Sequence, residues 1–291
     1  MLSKRAPFVA TRIAIGTMVW WAAALGSMAC RYNVRDVGFV NLGRSTYQLE
    51  VPRVGSEDAG QGDWTRLKAQ YPAGNVHVVE APANQTGEPA IISLRGPDGR
   101  QRELTIQDEL DWAAEDLHRA SVSELSQNLV DRLISCHSIV LLAEGIDANA
   151  NKEARRVIDE AIAAVVATRS LWPKPIDNPP EVVTIPAAER GAEKSLLWSL
   201  GILEAFDKPQ VAVLFGRGRR LGEVFAASEI ETERLARRLS IISIDCECDF
   251  NVAAMIGPMM PHEWTEEHEA RATRSLGFDP GMPLVQVEVE Q

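Results

Sequence analysis

The sequence lacks the short motifs by which many enzymes are recognised. It contains no H-E-x-x-H zinc motif, no G-x-x-x-x-G-K-[ST] phosphate loop and no G-x-G-x-x-G dinucleotide fingerprint. Its five histidines are scattered, and it has only four cysteines. These absences exclude the enzyme classes that depend on such motifs, and they leave the cysteines as the main candidates for chemistry.

Positive charge is also scarce. The chain has 30 Lys and Arg against 41 Asp and Glu, a formal net charge of −11. Such an acidic chain repels phosphate backbones, so nucleic acid is excluded as a partner. The only basic cluster, GRGRR at 216–220, lies between two apolar runs and is predicted to be a solvated hairpin turn.

One long uncharged apolar run is present, Ile13–Ala29, and it follows Lys4, Arg5 and Arg12 without an intervening acid. A basic start, an apolar stretch and small residues at its end are typical of a secretory signal, here residues 1–29. A retained membrane helix is the alternative, because the run has about the shortest length that spans a bilayer. Removal of the signal would change the net charge to −11 − 3 = −14.

Cys30 follows this run in the sequence LGSMAC. The stretch resembles the lipobox of bacterial lipoproteins, in which a small residue precedes the cysteine that carries the lipid. The resemblance implies an exported envelope protein that is anchored through Cys30 to a membrane facing the periplasm. Ordinary cleavage and an uncleaved anchor remain the alternatives.

Two stretches of the remaining chain share one pattern. EPAIISLRGPDGRQRELTIQDEL, from Glu88, and KPQVAVLFGRGRRLGEVFAASEIE, from Lys208, each have a proline, an apolar strand, a glycine turn, a second strand and the acidic start of a helix. Pro89 corresponds to Pro209, and Gly96 to Gly216. A chain of 291 residues is long enough for two domains, so the pattern predicts two copies of one domain.

The second copy is the clearer one. SVSE predicts a capping box between Ser121 and Glu124 at the start of a helix. HSIVLLAEG is a short apolar run typical of a strand buried on both faces, and NKEARRVIDEAIAAVVATR has the apolar stripe of an amphipathic helix. EVVTIP then predicts a strand and AEKSLLWSLGILEAF a helix.

This order of elements, with its proline-started strand and hairpin, resembles the thioredoxin fold over residues 121–243 and more weakly over 33–120. The fold class predicted is therefore α/β, with two tandem thioredoxin-like domains, each a mixed sheet flanked by helices, plus a C-terminal extension. The predicted boundaries are 1–29 for the signal, 30–120 and 121–245 for the domains, and 246–291 for the extension. A generic doubly wound α/β domain is the alternative.

Thioredoxin-like oxidoreductases carry C-x-x-C where the central strand meets its helix. The corresponding loops here, AEGIDANANKE at 143–153 and PRVGSEDAGQG at 52–62, contain no cysteine. We therefore expect no dithiol catalysis at this place, no cofactor, and a protein that is not an enzyme. Glu144, Asp147 and Lys152 remain in the loop, either as a different polar site or as solvated charges at a helix start.

The resemblance also implies a polypeptide-binding role for Pro89 and Pro209, because the family uses a cis proline there to present backbone groups to bound chains. Binding of an extended chain by strand addition needs no catalytic residue. The alternative is that these prolines only start strands near a sheet edge.

Cys136 precedes the predicted central strand, and Cys246 and Cys248 follow the last helix of the second copy, in SIDCECDF. In the resembled fold these positions lie at the pole opposite the redox loop. A disulfide from Cys136 to Cys246 or Cys248 is favoured in an oxidising compartment. Plain packing, a metal site of Cys246, Cys248 and His262 (or His268 or His137), and thiol exchange remain open.

The C-terminal extension holds the CxC pair and two further patterns. VAAMIGPMMPHEW, at 252–264, predicts a strap over a sheet edge, with a partner-binding patch as the alternative. PLVQVEVEQ, at 283–291, alternates as a terminal edge strand does. The function expected is non-catalytic binding or scaffolding of an envelope protein or peptide. The alternative is a metal-handling or thiol-exchange protein that uses Cys246 and Cys248.

Overall fold

The computed structural model describes residues 32–40, 45–52, 60–81, 91–104, 114–203, 205–245 and 256–281. Several predicted features lie outside these residues: the signal, Cys30, Pro89, Cys246, Cys248 and the strand at 283–291. None of the helices formed by the described residues has both the length and the apolar character needed to span a bilayer.

Within the described residues, the first sheet contains four strands. They are β1 (Tyr47–Val51), β2 (Val76–Glu80), β3 (Ser93–Arg95) and β4 (Gln101–Glu103), in the order β2-β1-β3-β4. β1 runs parallel to β2 and antiparallel to β3, which is antiparallel to β4. In β1, Leu49 is buried and pairs with Val78 and Leu94, whereas Gln48 is exposed, as expected of a strand with one apolar face.

The second sheet contains five strands in the part of the chain that the structure describes. They are β5 (Ile139–Ala143), β6 (Glu181–Ile185), β7 (Gln210–Phe215), β8 (Arg219–Leu221) and β9 (Ile256–Met259), in the order β6-β5-β7-β8-β9. β5 runs parallel to β6 and antiparallel to β7, and β8 is antiparallel to both of its neighbours. All five residues of β5 are buried, which explains its continuous apolar sequence.

Helices flank both sheets. They are α1 (Val34–Phe39), α2 (Gly60–Ala69), α3 (Ala114–Ser121), α4 (Glu124–Leu133), α5 (Ala148–Ala167), α6 (Lys194–Ser199), α7 (Thr232–Ser243) and α8 (Glu266–Leu276). The prediction of an α/β protein with two mixed sheets flanked by helices is therefore confirmed. The order and direction of β1 to β4 recur in β5 to β8, and the matched glycines Gly96 and Gly216 each directly follow the third strand of their set.

Among the described residues, three clusters of buried apolar side chains form the core. One lies on a face of the second sheet and includes Ile158 of α5 and Leu239 of α7 with Val140 and Val213. Another lies on the opposite face and includes Leu129 of α4, Leu196 of α6 and Ala272 of α8 with Leu141. Because these two clusters cover opposite faces, the second sheet is buried on both sides and its central strands have no polar face. The third cluster covers the first sheet.

The predicted capping box between Ser121 and Glu124 is wrong. Ser121 is the last residue of α3, and its hydroxyl bonds back to the carbonyl of Leu117 at 2.9 Å. Ser123 caps α4 instead, because its Oγ accepts a hydrogen bond from the amide of Ser126 at 3.1 Å. Two serines two residues apart offer alternative caps, and only the packing of the preceding helix decides between them.

The end of β9 and the residues that follow it connect the two sheets. Tyr47 Oη donates to the carbonyl of Met259 at 2.6 Å, and the amide of Asn75 donates to the carbonyl of His262 at 3.2 Å. The side chain of Asn75 donates to Met260 O and accepts from the amide of His262, each at 2.9 Å. The Met- and Pro-rich segment therefore adds an edge strand to one sheet and binds the amino-terminal ends of strands in the other.

The hairpin at 216–220 is a turn, as predicted, but the prediction that it is solvated is wrong. Arg217 is 6% exposed and Arg219 is 5% exposed. Gly216, at φ +60°, lies against α1 so closely that a Cβ would be 2.2 Å from the carbonyl carbon of Gly38. On the other side, the amide of Met260 donates to Gly218 O at 3.0 Å. Distant segments thus cover the turn from both sides.

Candidate functional site

The loop between β5 and α5 is the place where the resembled family has its redox cysteines. Asp147 is the N-cap of α5, and its Oδ1 accepts hydrogen bonds from the amides of Asn149 at 3.0 Å and Ala150 at 3.1 Å. The side chain of Asn151 bonds both the amide and the carbonyl of Gly145, each at 2.9 Å. The positive end of the helix dipole is therefore occupied by a carboxylate of the same chain.

This loop is fixed against the segment that precedes β7. The amide of Asp147 donates to the carbonyl of Asp207 at 3.1 Å. Gly145 approaches the same backbone so closely that a Cβ would lie 2.1 Å from Asp207 O. The start of α5 and the start of β7 are consequently held side by side.

A cleft of about 420 Å³ lies between these two segments and the 3₁₀ turn Ala227–Glu229 that precedes α7. Its apolar lining includes Ala150, Ala154, Pro209 and Ile230. Charged and hydroxyl groups also line it: Asp147, Glu153, Lys208 and Ser228. Such a surface can hold an apolar side chain and make polar contacts around it, and none of the described residues that line it carries a thiol.

Only some of the residues predicted to form a site in this region line the cleft. Pro209 is buried and lines the cleft, and its peptide bond to Lys208 is trans, so the cis bond implied by the resemblance is not found here. Of the three loop residues proposed as a polar site, only Asp147 lines the cleft, whereas Glu144 and Lys152 do not. Ser228 and Ile230 were not predicted, because nothing in their local sequence marks them as neighbours of α5.

Cys136 lies at the opposite end of β5 from this cleft, as predicted. It is fully buried, and its Sγ contacts the carbonyl of Ser138 at 3.4 Å. Burial raises the pKa of its thiol to about 12, and the charge of Glu181 acts in the same direction. A thiol with so high a pKa is a poor nucleophile at neutral pH. Cys136 is free of any disulfide to a described residue, and its predicted partners lie outside the described residues.

The histidines proposed as metal ligands are enclosed by other groups. His262 is 2% exposed, its Nδ1 lies 3.0 Å from the carbonyl of Met260, and burial lowers its pKa to about 4. His137 is also buried, which lowers its pKa to about 3. His268 Nδ1 bonds Thr265 and its Nε2 lies 3.1 Å from Gln127 Nε2. Among the described residues no three His, Cys, Asp or Glu side chains form a group that could hold a metal.

No protein-family model matches this chain, and no curated protein matches it either.

Proposed function

We propose that the chain is an exported, lipid-anchored envelope protein that binds an extended polypeptide without catalysing a reaction. The proposal includes a lipid on Cys30, two tandem thioredoxin-like domains at 30–120 and 121–245, and a binding surface around Pro209. It is based on the residues of the described cleft, on the lipobox-like sequence and on the strand order of the two sheets.

The strand order supports the thioredoxin-like part of the proposal. Each set of four strands has a parallel pair, followed by an antiparallel hairpin whose first strand joins the centre of the sheet. A helix joins each parallel pair, and a helix follows each hairpin at some distance along the chain. This is the order of elements by which the second half of the sequence resembles the thioredoxin fold.

The cleft between α5 and Pro209 is the observation that carries the binding function. Its apolar lining of Ala150, Ala154 and Ile230 would accept an apolar side chain, and Lys208 and Glu153 would contact polar groups on either side of it. Ile146, next to Asp147 in sequence, is 70% exposed and adds an apolar surface. Exposed apolar residues at the edge of a cleft are typical of binding sites.

The residues at the start of α5 support a non-catalytic role. The Asp147 carboxylate takes the helix amides that would otherwise stabilise a thiolate. The sequence has no cysteine between 137 and 245. A cleft of this composition can bind a chain but has no group that would exchange disulfides with it.

The test measures binding of short unstructured peptides, each with one Leu or Phe, to the full-length chain in a non-ionic detergent. We expect Ala150→Phe to fill the cleft and weaken binding by about tenfold or more. Ala164→Phe adds the same ring to an exposed position of the same helix and should leave binding unchanged. Equal binding by both variants would refute the proposed site.

A second measurement separates binding from catalysis. The full-length chain is expected to give no turnover in an insulin-reduction assay. Turnover that Cys246→Ser or Cys248→Ser abolishes would instead support the thiol-exchange alternative.

A further inference from the structure

A second cavity, of about 260 Å³, lies where the residues after β9 meet the first sheet, and it is separate from the cleft beside Pro209. Its lining includes Ser45, Thr46, Asn75, Arg217, His262 and Trp264. None of the described residues that line it is acidic, although the whole chain has a net charge of −11. The cavity is smaller than the roughly 300–1,000 Å³ of typical small-molecule sites, so a ligand that fits it is small.

Arg217 contributes a buried guanidinium to this cavity. It is 6% exposed and stacks over the ring of Trp264, with its Cζ 4.0 Å from the ring centroid. Its Nη2 lies 3.4 Å from Glu269 Oε2, a weak contact, and that same oxygen also accepts from Trp264 Nε1. Its Nε has no hydrogen-bond partner among the described residues. The charge of Arg217 is therefore only partly compensated, and one of its donors is unused.

Arg219 is a second buried guanidinium, and it contacts Ser45 of the cavity lining. It is 5% exposed, and its Nη1 donates to Ser45 Oγ at 3.1 Å. Its Nε and Nη2 have no partner within the described part of the chain, and burial lowers its pKa. Ser45 Oγ accepts from Arg219, and no described residue accepts its hydroxyl proton, so this proton can be donated to a ligand in the cavity that Ser45 lines.

Two buried, incompletely paired arginines are expensive for a protein to maintain, because a buried charge without a partner loses its hydration. An anion in the cavity would remove this cost. It would interact with the charges of Arg217 and Arg219, and it would accept a hydrogen bond from the Ser45 hydroxyl. Guanidinium groups match the geometry of oxyanions, and two of them favour an anion of charge −2 over a carboxylate.

We infer that the cavity formed by Ser45, Arg217, His262 and Trp264 is a binding site for a phosphate group. The group is either free inorganic phosphate or the phosphate of a small monoester. This inference does not depend on the polypeptide-binding function, because the two sites share no residue.

The test is isothermal titration of the full-length chain, in non-ionic detergent and at constant ionic strength, with sodium phosphate, glycerol 3-phosphate or sodium acetate. We expect saturable binding of phosphate or of the monoester, and whichever binds more tightly identifies the source of the group. Arg217→Met should weaken binding by about tenfold or more. Arg237→Gln, which removes an arginine whose side chain is 74% exposed, should leave binding unchanged.

Ser45→Ala provides a variant that leaves both arginines in place and should weaken binding by about threefold to tenfold, because it removes one neutral donor. If circular dichroism shows that Arg217→Met does not fold, Ser45→Ala replaces it as the test variant. Absence of saturable phosphate or monoester binding by the wild-type chain would overturn the inference. So would acetate binding more tightly than either, or binding that Ser45→Ala and a folded Arg217→Met leave unchanged.

Discussion

Arg35 Nε donates a hydrogen bond of 2.9 Å to the carbonyl oxygen of Cys136, which lies 101 residues further along the chain. Its Nη2 donates to the carbonyls of Ile134 at 2.7 Å and Leu133 at 3.3 Å. One guanidinium thus binds the last carbonyls of α4, where the helix dipole is negative. The next element, β5, begins three residues after Cys136, so this contact also positions the central strand.

Replacement of Arg35 should therefore destabilise the protein strongly. Arg35→Leu would remove the donor to the carbonyls of Cys136 and Leu133, whereas the Ile134 carbonyl would keep Ser275 Oγ at 2.9 Å. We expect the free energy of unfolding to fall by about 2–5 kcal/mol, because each unsatisfied buried acceptor costs about 1–3 kcal/mol. Urea unfolding followed by circular dichroism measures the change. Arg237→Gln, at an exposed position, should change stability by less than about 0.5 kcal/mol. Equal midpoints for the two variants would contradict this interpretation.

The helix that contains Arg35 also touches the segment before the CxC pair. The amide of Val34 donates to Ile244 O at 3.1 Å, and Asn33 pairs with Asp245, the residue before Cys246. We predict a disulfide between Cys136 and Cys246 or Cys248. It would close a loop of roughly 110 residues and stabilise by about 4 kcal/mol in the chain-entropy model. Peptide mapping without reduction should detect the linked pair, and full alkylation of Cys136 in the unfolded, unreduced chain would exclude it.

His137 gives the stability a defined pH dependence. Burial, with a further contribution from the Arg35 charge, lowers its pKa from 6.5 to about 3 in the folded state. Between these two values the unfolded chain binds a proton that the folded chain does not, so stability falls as the pH falls through this window.

The measurement for His137 is the free energy of unfolding from pH 7 to pH 4. In His137→Gln the free energy of unfolding should change less with pH than in the wild type, by about 1.4 kcal/mol per pH unit between roughly pH 6 and 4. The carboxylates also titrate in this range, but they contribute equally to both proteins. Parallel curves for the variant and the wild type would show that His137 is protonated in the folded state.

The contact between Gly145 and Asp207 should tolerate no side chain. Gly145→Ala would place a Cβ 2.1 Å from Asp207 O, so the loop must move, and we expect a loss of about 1–3 kcal/mol of stability. Gly191→Ala is the matched control, because a Cβ added there would meet no atom of the described residues within 4 Å beyond its chain neighbours. Thermal unfolding of both variants should give a lower midpoint for Gly145→Ala only.

The proposed lipid anchor on Cys30 is testable in cells. Cys30→Ser should leave the precursor uncut or release the protein from the membrane fraction, because the acyl chains have no other attachment point. Arg237→Gln, at an exposed position, is a control that leaves the lipobox intact. Unchanged mass and unchanged fractionation of Cys30→Ser would indicate a retained helix or ordinary cleavage.

The local parts of the fold could be predicted from the sequence. The apolar run of β5 and the stripe of α5 that contains Ala154, Ile158 and Ala161 are patterns of neighbouring residues, and their burial follows from strand and helix periodicity. The hairpins at Gly96 and Gly216 could be predicted for the same reason. The cleft was only partly predictable. Pro209 and Asp147 could be identified from the resemblance to a known fold. Ser228 and Ile230 could not, because the segment after β8 is brought beside α5 only by the tertiary structure.

The burial of Arg217 and Arg219 was decided by the tertiary structure alone. From the sequence alone, GRGRR is predicted to be an exposed basic turn, because arginine side chains are mostly exposed. Its environment comes from Ser45, 174 residues before Arg219, and from the segment after β9, which Asn75 binds across 185 residues. Periodicity reports only which face of an element is apolar. It does not report which distant segment covers a turn, because that depends on the packing of whole elements.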